Sequence, residues 1–203
     1  MSHRFAEIAF TPNVKKAQEI NGSRRSYARL DIGEVHHDVL GPREAAFIAE
    51  RDSFYMATVS ETGWPYIQHR GGAPGFVRVL DQETIGFADF RGNRQYISVG
   101  NLETNDRVSM ILMDYPNRAR LKILGRARLV GLDEQDLLTR LSLPDYRAVV
   151  ERGFVITIEA FDWNCPQHIT PRFTPAEIEK AVAPLHKRIA ELEQMLGKKP
   201  RSA

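Results

Sequence analysis

The 203-residue sequence has a single cysteine, no long apolar run and no large excess of either charge. Cys165 cannot form a disulfide within the chain, which is typical of proteins from a reducing compartment. No segment approaches the roughly 20 consecutive apolar residues that cross a bilayer, and residues 1–6 lack the apolar core of a signal peptide. We therefore expect a cytoplasmic protein without a membrane-spanning segment. The net charge of +2 is too small to hold nucleic acid by bulk charge.

The sequence also lacks the motifs of several common binding sites. It contains neither a Walker-type phosphate loop nor the Gly-x-Gly-x-x-Gly fingerprint, so neither a P-loop nor a Rossmann fold is indicated. His36 and His37 are adjacent, point to opposite sides of an extended segment and have no supporting ligand spacing, so we expect no metal site. Cys165 and His168 share a proline-containing loop without a recognisable motif around them, which gives little support to a catalytic pair.

What the sequence does contain is a series of short strand-like segments. About seven lie between Phe54 and Phe161, and tight turns rich in glycine and proline separate them. They do not alternate with helices, and this pattern predicts a mainly β fold, an antiparallel barrel with flanking helices. The segment 118–130 alternates apolar and basic residues. It would stretch about 40 Å if straight, so we expect a bend at Gly125.

These segments suggest four regions. We expect residues 1–52 to form a helical and loop extension packed on the barrel, with a helix through residues 12–20, a basic loop at 21–32 and a helix that opens at Pro42. The barrel domain is expected over residues 53–170, with one helical insert that carries the apolar stripe Leu137, Leu138 and Leu141. Residues 174–197 are predicted to form an amphipathic helix, and residues 198–203 a basic, disordered tail.

The C-terminal helix has a clear start and an apolar seam. Thr174 and Glu177 form a capping box, with Pro175 at the first helical position. Apolar residues then follow at alternating spacings of four and three, interrupted locally by Pro184: Ile178, Val182, Leu185, Ile189, Leu192 and Leu196. The seam leaves two alternatives open, docking on the barrel or pairing with a second subunit.

The segment from Thr84 to Leu102 is the most informative for function. An apolar strand runs into the turn Arg91-Gly92-Asn93-Arg94, and a helical turn is expected to begin at once. A helix start exposes unpaired N–H groups, and two arginines beside it can bind an anion with charge-assisted hydrogen bonds. The turn is therefore a candidate phosphate site, and the alternative is a solvated loop.

Three further groups are candidate ligand contacts. Gln68, His69 and Arg70 end a strand before two glycines, which would let a flat ligand approach the backbone, although a bulged hairpin edge explains them equally well. Arg120 and Lys122 lie in the middle of the basic strand, whereas Arg126 and Arg128 are better explained as a solvated face. Trp163 follows the last strand, where it would cover a planar ring or plug the end of the barrel.

Together these motifs resemble a known family. They occur in this order: Ala57-Thr58-Val59, Gly63-x-Pro65-Tyr66, Gly86-Phe87-Ala88-Asp89-Phe90, Gly92-Asn93-Arg94-Gln95, Asn105-Asp106-Arg107-Val108-Ser109 and Gly125-x-Ala127. The order and spacing resemble the FMN-binding split barrels related to pyridoxamine-phosphate oxidase, over roughly Phe54 to Val130. The resemblance implies a six-stranded antiparallel split barrel and a homodimer with one FMN in each of two clefts between the subunits.

The resemblance also implies roles for individual residues. Arg94 and Gln95, beside Asn93, fall on the pair that binds the phosphate, and Arg91 would supply the second charge because Gln95 replaces the usual lysine. Ala88 and Asp89 fall where a strand meets the flavin. Gln68, His69 and Arg70 fall on the segment that lines the flavin and ribityl chain. Arg120 falls where a polar side chain reaches the ring, and Trp163 where an aromatic residue closes the site.

The resemblance does not extend to the vitamin B6 substrate. The C-terminal Arg-Leu-x-Pro segment that binds it in the oxidases is missing, and only Arg172 stands near the corresponding place. The leading hypothesis is an FMN-dependent oxidoreductase of an unidentified small molecule, with an electron donor such as NAD(P)H and no assigned catalytic residue. The alternatives are a non-catalytic flavin carrier or sensor and a split barrel that uses deazaflavin or heme. Nucleic-acid binding has the weakest support.

Overall fold

The fold is described from a computed structural model, over residues 3–32, 38–144, 146–163 and 166–197. The expectations for His36 and His37, for Cys165 and for the tail at 198–203 lie outside these residues. No helix among the described residues is both long and apolar enough to cross a membrane.

Seven α-helices and seven strands make up the described structure. The helices are α1 His3–Ala9, α2 Pro12–Ile20, α3 Arg24–Tyr27, α4 Pro42–Ala49, α5 Ile97–Leu102, α6 Gln135–Leu141 and α7 Pro175–Met195. A 3₁₀ turn, Ala28–Asp31, continues α3. The strands are β1 Ser53–Val59, β2 Pro65–Gly71, β3 Val77–Val79, β4 Thr84–Phe90, β5 Arg107–Asp114, β6 Ala119–Val130 and β7 Val150–Trp163.

The strands form one antiparallel sheet that curls into a split barrel. Their order is β2-β1-β5-β6-β7-β4-β3, so β2 and β3 are the two edges of the sheet. The predicted mainly β fold, a split barrel with flanking helices, is confirmed. The sheet has the seven strands expected from the sequence segments, one more than the six that the resemblance implies, and β3 is only three residues long.

Four phenylalanines form the centre of the core. Phe54, Phe76, Phe87 and Phe154 are almost fully buried, and the rings of Phe87 and Phe154 stack with centroids 4.9 Å apart. Outside the barrel, α6 packs on β4 and β7 through Leu138 and Leu141, as its apolar stripe predicts. Leu141 lies so close to Gly86 that a Cβ there would be 2.6 Å from its Cδ2, so this docking requires glycine.

Two bulges interrupt the pairing of β7, and each leaves one extra residue on that strand. Beside β6 the register changes between Leu124 and Gly125, and the extra residue is Glu159. The expected bend at Gly125 thus coincides with a bulge. Beside β4 the register changes between Asp89 and Phe90, and the extra residue is Glu151. Bulges redirect side chains out of the regular alternation of a strand, and both glutamates are bonded to arginines.

The N-terminal extension differs from the prediction at one place. The segment 21–32 was expected to be a loop, but α3 and the 3₁₀ turn occupy most of it. Asp31 forms ion pairs with Arg24 and, at 3.0 Å, with Lys15. These contacts hold the short helices against α2, and no local sequence pattern signals them.

The C-terminal helix α7 begins as predicted. The Thr174 hydroxyl accepts a hydrogen bond from the Glu177 N–H, and the Glu177 carboxylate accepts one from the Thr174 N–H. No residue of α7 is buried, so within one chain the apolar seam does not dock on the barrel.

Candidate functional site

A cleft opens where the edge strand β2 approaches the end of β4. Gln68 and Arg70 line it from β2, Asp89 from β4 and Glu151 from β7, and the turn at residues 92–96 forms its rim. Its volume is about 230 Å³, below the range of roughly 300–1,000 Å³ that is typical of small-molecule pockets. A single chain therefore offers part of a site for a ligand of cofactor size.

The arginine turn has an unusual backbone. Arg94 and Tyr96 both lie in the left-handed region, with φ of 59° and 53°. This conformation costs residues with a side chain about 1–2 kcal/mol and is common at functional sites. Residue Tyr96 is the N-cap of α5, which begins at Ile97. The helix therefore does not follow Arg94 at once, and at six residues it has only a small dipole.

Two contacts fix α5 to the barrel behind this turn. The Asn101 amide donates to the Thr58 hydroxyl at 2.8 Å in a buried bond, and Ser98 donates to the Gln68 side chain at 3.3 Å. At the front of the turn, the Gln95 N–H donates to Asn93 Oδ1 at 3.2 Å. The rim is thus a constrained turn on a rigid support, although its side chains are exposed.

Glu151 is the centre of the charged groups on the open side of the cleft. Its carboxylate accepts a hydrogen bond from Arg91 Nε at 3.0 Å and lies 4.0 Å from Arg94 Nε. The Tyr96 hydroxyl donates to it at 3.2 Å and accepts from Arg94 at 3.0 Å. Partial burial acts to raise the pKa of Glu151, but hydrogen bonds from Arg91 and Tyr96 and nearby positive charge outweigh it and lower the pKa. Glu151 is therefore ionised at neutral pH.

Asp89 is the centre of the buried side of the cleft. It forms an ion pair with Arg70 across the split between β2 and β4, and it lies 3.4 Å from Arg152 Nε. The side chains of Arg70 and Asp89 are only 12% and 10% exposed. Burial raises the pKa of Asp89, and the charge and hydrogen bond of Arg70 oppose this shift. Within the described residues, Nε of Arg70 is buried without a hydrogen-bond partner.

Four arginines thus surround two carboxylates in and beside the cleft. Arg91 and Arg94 are 56% and 64% exposed, so their guanidinium groups remain accessible to an added ligand. A cluster with more arginines than carboxylates, open to solvent on one side, fits an anion that accepts several charge-assisted hydrogen bonds. A phosphate monoester has this chemistry.

The structure brings together most of the residues predicted for the site. The following line the cleft: Gln68, Arg70, Asp89, Asn93, Arg94 and Gln95. Arg91 is joined to it through Glu151. His69 lies on the opposite face of β2, with its ring 5.4 Å from that of Tyr55, and Ala88 is buried against α6.

Trp163 and Arg120 lie outside the cleft of the same chain. Trp163 ends β7, donates to Glu44 at 2.7 Å and packs on Phe47 and under Arg43. These contacts match the alternative that it plugs the end of the barrel. Arg120 of β6 pairs with Met113 of β5, and its Nε is buried without a hydrogen-bond partner among the described residues. Their predicted contacts with a cofactor stay predictions, and would require a second chain.

Sequence reasoning missed Glu151, Arg152 and Tyr96. None of the sequence motifs includes Glu151 or Arg152, which lie just before the apolar residues that begin at Phe154. The glutamate enters the cleft because it is the extra residue of a bulge, and this register depends on the pairing of β4 with β7. The only local signal is that two charged residues, Glu151 and Arg152, stand at the start of a mainly apolar strand.

Comparison with known proteins identifies the family of this chain. A family model described as pyridoxamine 5'-phosphate oxidase matches residues 40–155. The chain belongs to this family. The match includes the arginine turn, Asp89 and Glu151, so the whole cleft lies within the family domain. No curated protein matches the chain.

Several solved structures are similar in fold. A putative pyridoxamine 5'-phosphate oxidase from Lactobacillus delbrueckii is 16% identical with a TM-score of 0.47, over 64% of this chain and 99% of its own. An F420 reductase is 22% identical with a TM-score of 0.38, over 60% and 98%. The heme storage protein HutZ from Vibrio cholerae is 20% identical with a TM-score of 0.40, over 61% and 93%. At these scores the similarity carries no conclusion about a ligand.

Proposed function

We propose that this member of the family binds FMN in the arginine cleft and acts as an FMN-dependent oxidoreductase of a small molecule. The observation that carries the proposal is a cluster of three arginines: Arg70 on β2, and Arg91 and Arg94 at the strained turn. All three lie inside the part of the chain that matches the family. When bound, the flavin would accept and donate the electrons, and the protein would bind it, orient it and exclude water.

Each part of the cleft has a proposed role. Arg94 is the principal phosphate anchor, and Arg91 supplies the second charge in place of the lysine that Gln95 replaces. Gln68 and Arg70 face the cleft from β2 and would contact the ribityl chain and the polar edge of the ring. Arg70 would also stabilise negative charge on the reduced ring, because it lies in a buried setting where charges interact strongly.

The size of the cleft supports a site shared between two subunits. The cavity of about 230 Å³ accommodates the phosphate end of the cofactor, and a second chain would complete the walls. The outer face of β1 and β2 offers a surface for this contact, since Tyr55 and Ile67 are 37% and 64% exposed on neighbouring strands. We propose a homodimer in which His69 and Arg120 contribute from the partner chain.

The purified chain tests this function directly. Its absorption spectrum should show oxidised flavin, and the apoprotein should take up FMN with a stoichiometry of one per chain and sediment as a dimer. Addition of NAD(P)H under anaerobic conditions should then bleach the flavin. A colourless protein that does not bind FMN, or riboflavin that binds as tightly as FMN, would remove the phosphate site from the proposal.

A second candidate is a non-catalytic flavin carrier. It is favoured by the state of the acidic groups in the cleft, because Asp89 and Glu151 are both engaged in ion pairs with arginines and neither is an unpaired general base. Protein that binds FMN but shows no turnover with NAD(P)H and a range of acceptors would support the carrier. Steady turnover would exclude it.

A further inference from the structure

The α7 helix presents an unpartnered apolar stripe, which we name the α7 seam: Ile178, Val182, Leu185, Ile189, Leu192 and Leu196. Five of its six residues are between 41% and 71% exposed. At 21 residues the helix is about 31 Å long, and helices in proteins owe most of their stability to packing of an apolar face. A capped helix whose apolar seam is largely exposed therefore needs a second surface that covers this seam.

The seam follows a heptad pattern that specifies how many helices associate. Val182, Ile189 and Leu196 fall at the a positions, and Ile178, Leu185 and Leu192 at the d positions. β-Branched residues at a with leucine at d favour two-stranded parallel coils. Pro184 falls at position c, away from the seam, so its effect on the helix backbone does not place a ring in the interface.

Charged residues beside the seam specify the orientation. Arg188 falls at position g and Glu193 at the following e position, five residues later. In a parallel pair each Arg188 faces the Glu193 of the other helix, giving two attractive pairs. In the antiparallel pairing that matches a with d, Arg188 would face Arg188 and Glu193 would face Glu179, so both flanks would repel.

We infer that α7 pairs with the α7 of a second copy of this chain in a parallel, in-register, two-stranded coiled coil. The coil is a contact separate from the flavin cleft, since no residue of α7 lines that cleft. Barrels that also dimerise would hold the two helices at a high effective concentration, which offsets the shortness of the coil.

Disulfide trapping in the full-length chain tests the register. In a Cys165→Ser background, Leu192→Cys places two thiols across a d position of the parallel coil, close enough to form a disulfide. The matched control is Lys187→Cys at position f, on the far side of the helix. We expect covalent dimer to form at least tenfold faster with Leu192→Cys than with Lys187→Cys under the same oxidant.

The charges give an independent test. Adding Arg188→Glu to Leu192→Cys should slow cross-linking at least threefold, and further addition of Glu193→Arg should restore the rate. Equal rates for the Leu192→Cys and Lys187→Cys chains would overturn the coil. Cross-linking of Leu192→Cys mainly to Val182→Cys chains in a mixture would overturn the parallel orientation, because the antiparallel pairing places Leu192 opposite Val182. FMN uptake, measured on the same samples, reports on the cleft alone, so failure of either proposal is visible without the other.

Discussion

The two bulges of β7 place two glutamates among arginines, but the surroundings of the two differ. Glu159 accepts a hydrogen bond from Arg4 of α1 and another from Arg126 of β6, both at 2.8 Å. Each of these arginines has a second carboxylate, Glu7 at 2.6 Å and Asp106 at 2.9 Å. Three carboxylates therefore face two arginines in this Glu159 cluster, which leaves no arginine without a carboxylate and fastens α1 to the sheet.

The cluster around Glu151 has the opposite balance. Arg91, Arg94 and Arg152 share this carboxylate, and Arg152 also shares Asp89 with Arg70. A bulge in β7 thus has a different role in each of the two places. Where each arginine has its own carboxylates, the bulge is a structural clamp. Where arginines exceed carboxylates beside an open cleft, the bulge leaves positive charge for a ligand.

The largest difference between the two regions should appear in stability. Arg70→Ala leaves Asp89 buried with only the more distant Arg152, and loss of one partner of a buried ion pair costs about 3 kcal/mol or more. Arg126→Ala removes an arginine that is 47% exposed, where ion pairs contribute little and salt screens them. Urea unfolding should show a large loss for Arg70→Ala and a small, salt-sensitive one for Arg126→Ala.

The charge of the buried pair can be separated from its packing. The double variant Arg70→Met, Asp89→Asn removes both charges and should recover most of the stability that Arg70→Ala loses. If Arg70→Ala unfolds at the same urea concentration as Arg126→Ala, the contact across the split does not hold the barrel closed.

Ligand binding should separate the two regions next. Arg94→Ala removes the proposed phosphate anchor and should weaken FMN binding at least tenfold, because a charged hydrogen bond is lost. Arg126→Ala removes an arginine from the Glu159 cluster and should leave FMN affinity unchanged. Fluorescence titration of each apoprotein with FMN and with riboflavin measures both effects.

Riboflavin sharpens this comparison because it lacks the phosphate. Its affinity should be the same for Arg94→Ala and for the unsubstituted chain. Equal loss of riboflavin and FMN affinity would show that Arg94 acts on the fold of the turn. Unchanged FMN affinity would remove Arg94 from the site.

Much of the fold could be predicted because its signals are local. The apolar strand expected before the arginine turn is present as Thr84–Phe90, since turn residues delimit it. The turn with Arg91 and Arg94 was found because glycine, asparagine and arginine follow a buried strand directly. The C-terminal helix was found from its capping box.

The remaining features depend on contacts between distant residues. Glu151 enters the cleft through the register between β4 and β7, and an alternating pattern alone cannot show a bulge. Trp163 had two sequence interpretations, and its contact with Glu44, 119 residues away in the chain, favours the plug. The cleft itself depends on the ion pair of Arg70 and Asp89 across the split, which no spacing in the sequence reveals.

The smallest predicted effect tests most directly whether Glu151 competes with the phosphate of FMN for the arginines around it. Glu151→Gln removes the carboxylate that competes with a phosphate for Arg91 and Arg94, and we expect FMN to bind about threefold more tightly, since surface charge interactions are modest. Glu159→Gln makes the same chemical change in the Glu159 cluster and should leave the affinity for FMN unchanged. Tighter binding in both variants would mean that overall charge, and not the position of Glu151, controls affinity.

The pH dependence of this effect follows from the lowered pKa of Glu151. Because the folded pKa lies below the ordinary value of 4.5, the carboxylate is charged throughout the neutral range. Between about pH 8 and pH 5 the ratio of FMN dissociation constants between the unsubstituted chain and Glu151→Gln should therefore stay above one and change only with the second ionisation of the phosphate, whose pKa is about 6. It should approach one as the pH falls below 4.5 and Glu151 takes up a proton. A ratio that already reaches one between about pH 6 and pH 5 would assign the effect to another group, because Glu151 is still charged there.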